Sequence, residues 1–161
     1  MRPICQSFLL LCLIVVSFLP AHAGHKPPKI FIRIHIQTAG EGLPTTQAVS
    51  VPIPPNGEII QIRAIPEVSE QDLVDVKADA SGSVFLFLNH RGKVNLDAST
   101  GQNEGKILVV LLNGVVIYAP VIDQQISNGV FVIPHPLPPE VIQQLQEVAK
   151  QNVKDAPPKA Y

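Results

Sequence analysis

Outside its first 23 residues the chain has four histidines, His25, His35, His90 and His135. Imidazole is both a general base near neutral pH and a frequent metal ligand, so these are the side chains best suited to chemistry. No two of them stand at i, i+2 or i, i+4, the spacings that put two imidazoles on one ion, and no conventional metal site is expected. One local arrangement differs. If the chain is cut after Ala23, it begins Gly24-His25-Lys26. A free α-amine, the next backbone nitrogen and an imidazole at the second position can then wrap Cu(II) in the square-planar geometry this ion prefers. The competing reading is an extended arm that begins this way by chance. His35 falls on the polar face of a predicted strand and reads as a surface residue.

No HExxH, GxSxG or phosphate-loop spacing occurs. Both cysteines, Cys5 and Cys12, lie within the first 23 residues, so a chain cut after Ala23 has no thiol nucleophile, disulfide or cysteine metal site. The acids are scattered through turns and helix starts and read as solvated surface. No catalytic residue and no cofactor are expected, and the chain reads as non-enzymatic.

The elements that would carry these residues start after a targeting segment. Met1-Arg2, the apolar stretch Phe8 to Leu19 and Ala21-His22-Ala23 have the charge, core and cleavage pattern of a signal peptide. A membrane anchor wants about 20 apolar residues, and this stretch is shorter and ends at Pro20. The expectation is a product cleaved after Ala23 and located in a periplasm or outside the cell. That product would hold 138 of the 161 residues, enough for one domain with a core. Losing Arg2 leaves 11 basic against 13 acidic residues, a net charge of −2 that argues against nucleic acid. Residues 106–122 are interrupted by Asn113-Gly114 and Pro120, so no second membrane span is expected.

That interrupted block organises the fold. Ile107 to Leu112 is an apolar run, Asn113-Gly114 follows, and Val115-Val116-Ile117 is β-branched. Asn-Gly between two such runs predicts a tight antiparallel hairpin, because both turn positions need positive φ. Apolar residues on both faces of the first run predict a central strand covered on either side. Earlier in the chain, Ile30, Ile32, Ile34 and Ile36 alternate with Phe31, Arg33, His35 and Gln37, the period of a half-buried strand. Val49, Val51 and Ile53 form a second strand in which Pro52 signals an edge, and Ile60, Ile62 and Ala64 form a third after the Pro54-Pro55-Asn56-Gly57 turn.

Ser69 with Asp72 predicts a capped helical turn over 70–74, followed by a hairpin that pairs 76–78 with 84–88. A short helix is expected within Asn89 to Asn103, although Val94, Leu96 and Ala98 suggest period two. After a last strand at Val130 to Ile133, Pro139 can open a helix over 140–151 that packs through Val141, Ile142, Leu145 and Val148. The expected division is a leader at 1–23, an arm and additional strands at 24–66, an α+β domain at 67–151 and a Pro-containing tail at 152–161.

From Val68 to Ala149 the order of pieces resembles the head subdomain of the first periplasmic domain of SecD, a subunit of the bacterial protein-export machinery. The matching residues are Gly105, the apolar strand, Asn113-Gly114, the second strand running into Ala119-Pro120, and Ile126 with Gly129. Thr100 and Asn103 resemble the Thr and Asn that precede the strand glycine. The resemblance implies an α+β, ferredoxin-like fold, a mostly antiparallel sheet with two helices on one face, to which Ile30 to Ala64 adds extra strands. It also implies an exported accessory domain that contacts protein, with unfolded polypeptide or an envelope protein as partner. There is no counterpart of the family's proton-conducting membrane helices, so proton-driven pulling is not carried over, and Pro134 to Pro139 replaces the family's glycine turn before the last helix.

Two other roles are open: a structural or assembly module of an envelope complex tethered by the Pro-rich arms, and a small hydrolase with a site that carries no known motif. For polypeptide binding itself, two readings of the short strands stand side by side. Their edges accept a strand from another chain, or Pro52 and the polar arms block such pairing.

Overall fold

The computed structural model describes residues 30–38 and 47–156, so Gly24, His25 and the leader lie outside the described residues. The described residues form nine strands and two helices. The strands are β1 (Ile32–Ile36), β2 (Ala48–Ile53), β3 (Glu58–Arg63), β4 (Val68–Ser69), β5 (Leu73–Ala78), β6 (Val84–Leu88), β7 (Leu108–Leu112), β8 (Val115–Tyr118) and β9 (Val130–Ile133). The helices are α1 (His90–Gln102) and α2 (Pro139–Asp155), and a 3₁₀ turn spans Glu70–Asp72. Every strand pairing is antiparallel, which makes the class α+β. The strands form a four-stranded sheet ordered β4-β1-β7-β8, a three-stranded sheet ordered β5-β6-β9, and the separate β2-β3 hairpin.

The expected hairpin is present. Asn113 (φ 50°) and Gly114 (φ 84°) both take the positive φ that a two-residue turn with the right twist requires. β7 is central, as its two apolar faces demand. Leu108 and Val110 enter the main core on one side, while Val109 packs with Val51, Ile60 and Ile62 of the β2-β3 hairpin on the other. β1 lies between β4 and β7 in the same sheet, so its isoleucines share the main core with the later strands. All four, Ile30, Ile32, Ile34 and Ile36, are buried, as the alternation predicts.

The main core lies between the four- and three-stranded sheets and is closed by the helices. α2 packs along β5 and the 3₁₀ turn through Leu145 and Ala149, with Val141, Ile142 and Val148 half-buried beside them. It begins at Pro139, where a missing N–H costs nothing. α1 docks by a different surface. Of Val94, Leu96 and Ala98 only Leu96 is buried, and the helix sits down through Gly92, Leu96, Ser99 and Thr100. Gly92 is required there, since an added Cβ would stand 2.7 Å from Cβ of Asp72. Ser69 and Asp72 form the expected capping pair, with the Ser69 N–H donating to Asp72 Oδ2 at 2.9 Å, but the turn they cap is only three residues long and β5 starts at once after it.

Candidate functional site

The matched motif residues hold the hairpin in place at both ends. At the corner, Asn113 Oδ1 accepts from the Phe31 N–H (2.9 Å) and the Asn113 N–H donates to the Phe31 carbonyl (2.8 Å), which ties the turn to the start of β1. At the other end the Gly105 N–H donates to Ile122 O and the Leu108 N–H to Pro120 O, so Gly105, Ala119 and Pro120 frame the strand's entry and its partner's exit. Thr100 is fully buried. Its hydroxyl donates to Leu96 O (2.7 Å) and accepts from the Ile126 N–H (2.9 Å), while Asn103 accepts from Lys106 Nζ (2.9 Å). Gly129 receives the Leu88 N–H on its carbonyl at 2.9 Å and leads into β9.

His35 is a correction to the sequence reading. It is 4% exposed, because the β2-β3 hairpin folds over the outward face of β1. A carbonyl can only accept, so His35 Nδ1–H donates to Arg63 O at 2.7 Å and Nε2 carries the lone pair of a neutral ring. That Nε2 is buried and has no hydrogen-bond partner among the described residues. Burial holds the His35 pKa below its usual value, with the charge of Arg33 acting in the same direction and the Arg63 carbonyl and Glu67 acting against them.

β1 and this hairpin bound an open cleft of about 650 Å³. Phe31, Arg33 and His35 line it from β1, Val49, Ile62 and Ala64 from the hairpin, and Leu111, Asn113 and Gly114 from β7 and the corner. The volume is in the range of ligand pockets, and the walls are mainly apolar with a few polar groups. The polar signal in the sequence was the pair Arg33 and His35 on one face of β1; what covered that face was not visible.

The acids do not converge on a reacting centre. Glu67 meets Arg63 (3.0 Å) and the Ser99 hydroxyl (2.7 Å), Asp72 meets Arg91 (2.7 Å), and Glu70 lies 3.9 Å from Arg33. Among the described residues no group of three or more His, Cys, Asp or Glu is placed to hold a metal ion. His135 is engaged in structure: its Nε2–H donates to Ile117 O at 3.0 Å and its ring stands edge-on to Tyr118.

Several groups along the described strand edges are covered. Along β5, Gln146 Nε2 of α2 donates to Val76 O (2.9 Å) and Asn152 Nδ2 to Leu73 O (2.9 Å). On β8, the bulge that pairs Val110 with Tyr118 turns out Ile117, whose carbonyl His135 occupies. Asn128 takes the Val130 N–H at 2.9 Å at the start of β9, Pro134 follows its end, and Pro52 interrupts β2. β3 is bridged to the end of β1 through Thr38 N–H to Gln61 O at 2.8 Å. Of the two readings of the edges, the geometry favours blocking.

The antiparallel α+β fold of this chain is like that of SecDF. The chain is similar to a solved chain of SecDF, described as a membrane component that enhances protein export, with a TM-score of 0.53 and 23% identity over 74% of this chain and 61% of that one. It is similar to the same degree to SecDF in a super-membrane-facing form, of which it spans 18%. No family model and no curated protein matches the sequence. No helix among the described residues is long and apolar enough to cross a membrane.

Proposed function

We propose that this protein is an exported, non-enzymatic accessory domain that acts by contact with polypeptide, through the cleft between β1 and the β2-β3 hairpin. The observation that carries the reading is an open, mainly apolar cleft of about 650 Å³ on a fold in which α2 covers carbonyls of the β5 edge and His135 one of the β8 edge, so that a client is held there by side-chain contact rather than by adding a strand to those edges. The likeness to SecDF, whose description ties it to protein export, supports the same assignment. The acids and histidines in structural pairs support a role without catalysis. On this reading the leader is cut after Ala23 and the domain works outside the cytoplasm, without a cofactor.

Titrating the ¹⁵N-labelled protein with a permanently unfolded polypeptide at millimolar concentration tests the proposal. Shifts confined to amides around the cleft, Phe31, Val49, Ile62 and Leu111 among them, are the expected result. An unchanged spectrum sinks it, and a protein whose mass shows a start elsewhere than Gly24 removes the leader assignment.

A further inference from the structure

We propose that the cleft recognises the free C-terminal end of an apolar peptide: Arg33 takes the carboxylate, His35 Nε2 accepts the peptide's last N–H, and Val49, Ile62 and Leu111 take its side chains. This rests on the binding reading above and narrows it to one ligand chemistry.

Charge decides the first contact. Among the described residues that line the cleft, Arg33 is the one charged side chain and none is an acid. The guanidinium stacks 5.6 Å from the Phe31 ring centroid, and its side chain is 48% exposed. Its nearest acid, Glu70 Oε2, lies at 3.9 Å, beyond hydrogen-bond reach, so among the described residues its forked donors have no hydrogen-bonded acceptor. A planar five-donor fork beside apolar walls suits a carboxylate better than any neutral group.

The second contact follows from the tautomer of His35. With Nδ1–H committed to Arg63 O, Nε2 needs a donor, and among the described residues none supplies one. A buried acceptor left alone is costly enough to call for an explanation. A carboxylate alone cannot supply the donor, whereas a peptide end carries an N–H next to its carboxylate. Arg33 and His35 are same-face neighbours on one strand, about 6.6 Å apart along it, a separation that the two side chains and one terminal residue can bridge. The remaining wall is apolar, which sets the preference for Val, Leu or Ile at the end.

The test compares an acetylated pentapeptide of Val and Leu with a free C-terminus against its C-terminal amide, by ¹⁵N chemical-shift titration of the purified protein. The free acid is expected to bind at least about tenfold more tightly, the usual effect of a hydrogen-bonded charge, and to shift Arg33, Val49, Ile62 and Leu111. Arg33→Gln is expected to abolish that difference while keeping a dispersed ¹⁵N spectrum, with a lowered melting temperature because the buried Glu70 loses its neighbouring charge. Equal binding of acid and amide in the cleft overturns this inference and leaves the polypeptide reading standing. Shifts outside the cleft, or an acid preference that survives Arg33→Gln, overturn it as well; no binding of either peptide or of unfolded polypeptide overturns both.

Discussion

Asn113 and Phe31 hold each other by two hydrogen bonds, the Asn113 side chain accepting from the Phe31 N–H and the Phe31 carbonyl accepting from the Asn113 N–H. A residue chosen for a turn thus also anchors the first strand, 82 positions away in sequence. Asn113→Gly keeps the positive φ and loses the side-chain bond; Asn113→Ala loses the bond and strains the backbone. Denaturant unfolding is expected to show a loss of about 1 kcal/mol for Asn113→Gly and about 2–3 kcal/mol for Asn113→Ala. Equal effects would show that the turn conformation carries no weight.

Stability should fall on acidification through His35. The folded ring has a lowered pKa, so the unfolded chain binds more protons below the ordinary value of 6.5. The sign is that the folded state is favoured above that value and loses ground as pH falls through it toward the lowered one. The groups around the ring are Arg33 on its own strand, the Arg63 carbonyl and Glu67. Urea midpoints at pH 7.5 and 5 are expected to differ by less in His35→Gln than in the unaltered protein.

Gly92→Ala should destabilise although alanine is the better helix former. The new methyl meets Cβ of Asp72 at 2.7 Å and of Leu88 at 3.3 Å, atoms fixed to the backbone. The overlap is expected to cost about 1–3 kcal/mol, outweighing the roughly 1 kcal/mol that propensity gives back. A raised melting temperature would refute this account of how α1 docks.

Thr100→Val removes one hydroxyl at constant shape, strands the Ile126 N–H and takes the second bond from Leu96 O, which keeps its helical one. A loss of about 1–3 kcal/mol is expected, with faster hydrogen exchange at the Ile126 amide. Thr100→Ser, which keeps the hydroxyl, should retain most of the stability and the slow exchange.

The legible parts of this fold are those whose information is local. The isoleucine alternation of β1, the Asn-Gly corner and the spacing of α2 each specify geometry within a few residues, and all three are found where the pattern puts them. Two readings depended on distant packing. A polar face on β1 looked solvated because nothing near His35 says that β2 and β3 will fold over it. The helix expected within Asn89 to Asn103 is present as α1, but its docking face, Gly92, Ser99 and Thr100 beside Leu96, owes its value to close approach and hydrogen bonding rather than to hydropathy. The cleft was hidden for the same reason as His35: its walls come from three separate stretches of sequence, with Phe31 and Leu111 80 positions apart.

The carboxamides that α2 lays along β5 give the end of this chain a protective duty. A product clipped before Gln146 would bare a six-residue strand with open carbonyls, a template on which copies stack. Proteolysis near the C-terminus should therefore yield insoluble material instead of a smaller working domain.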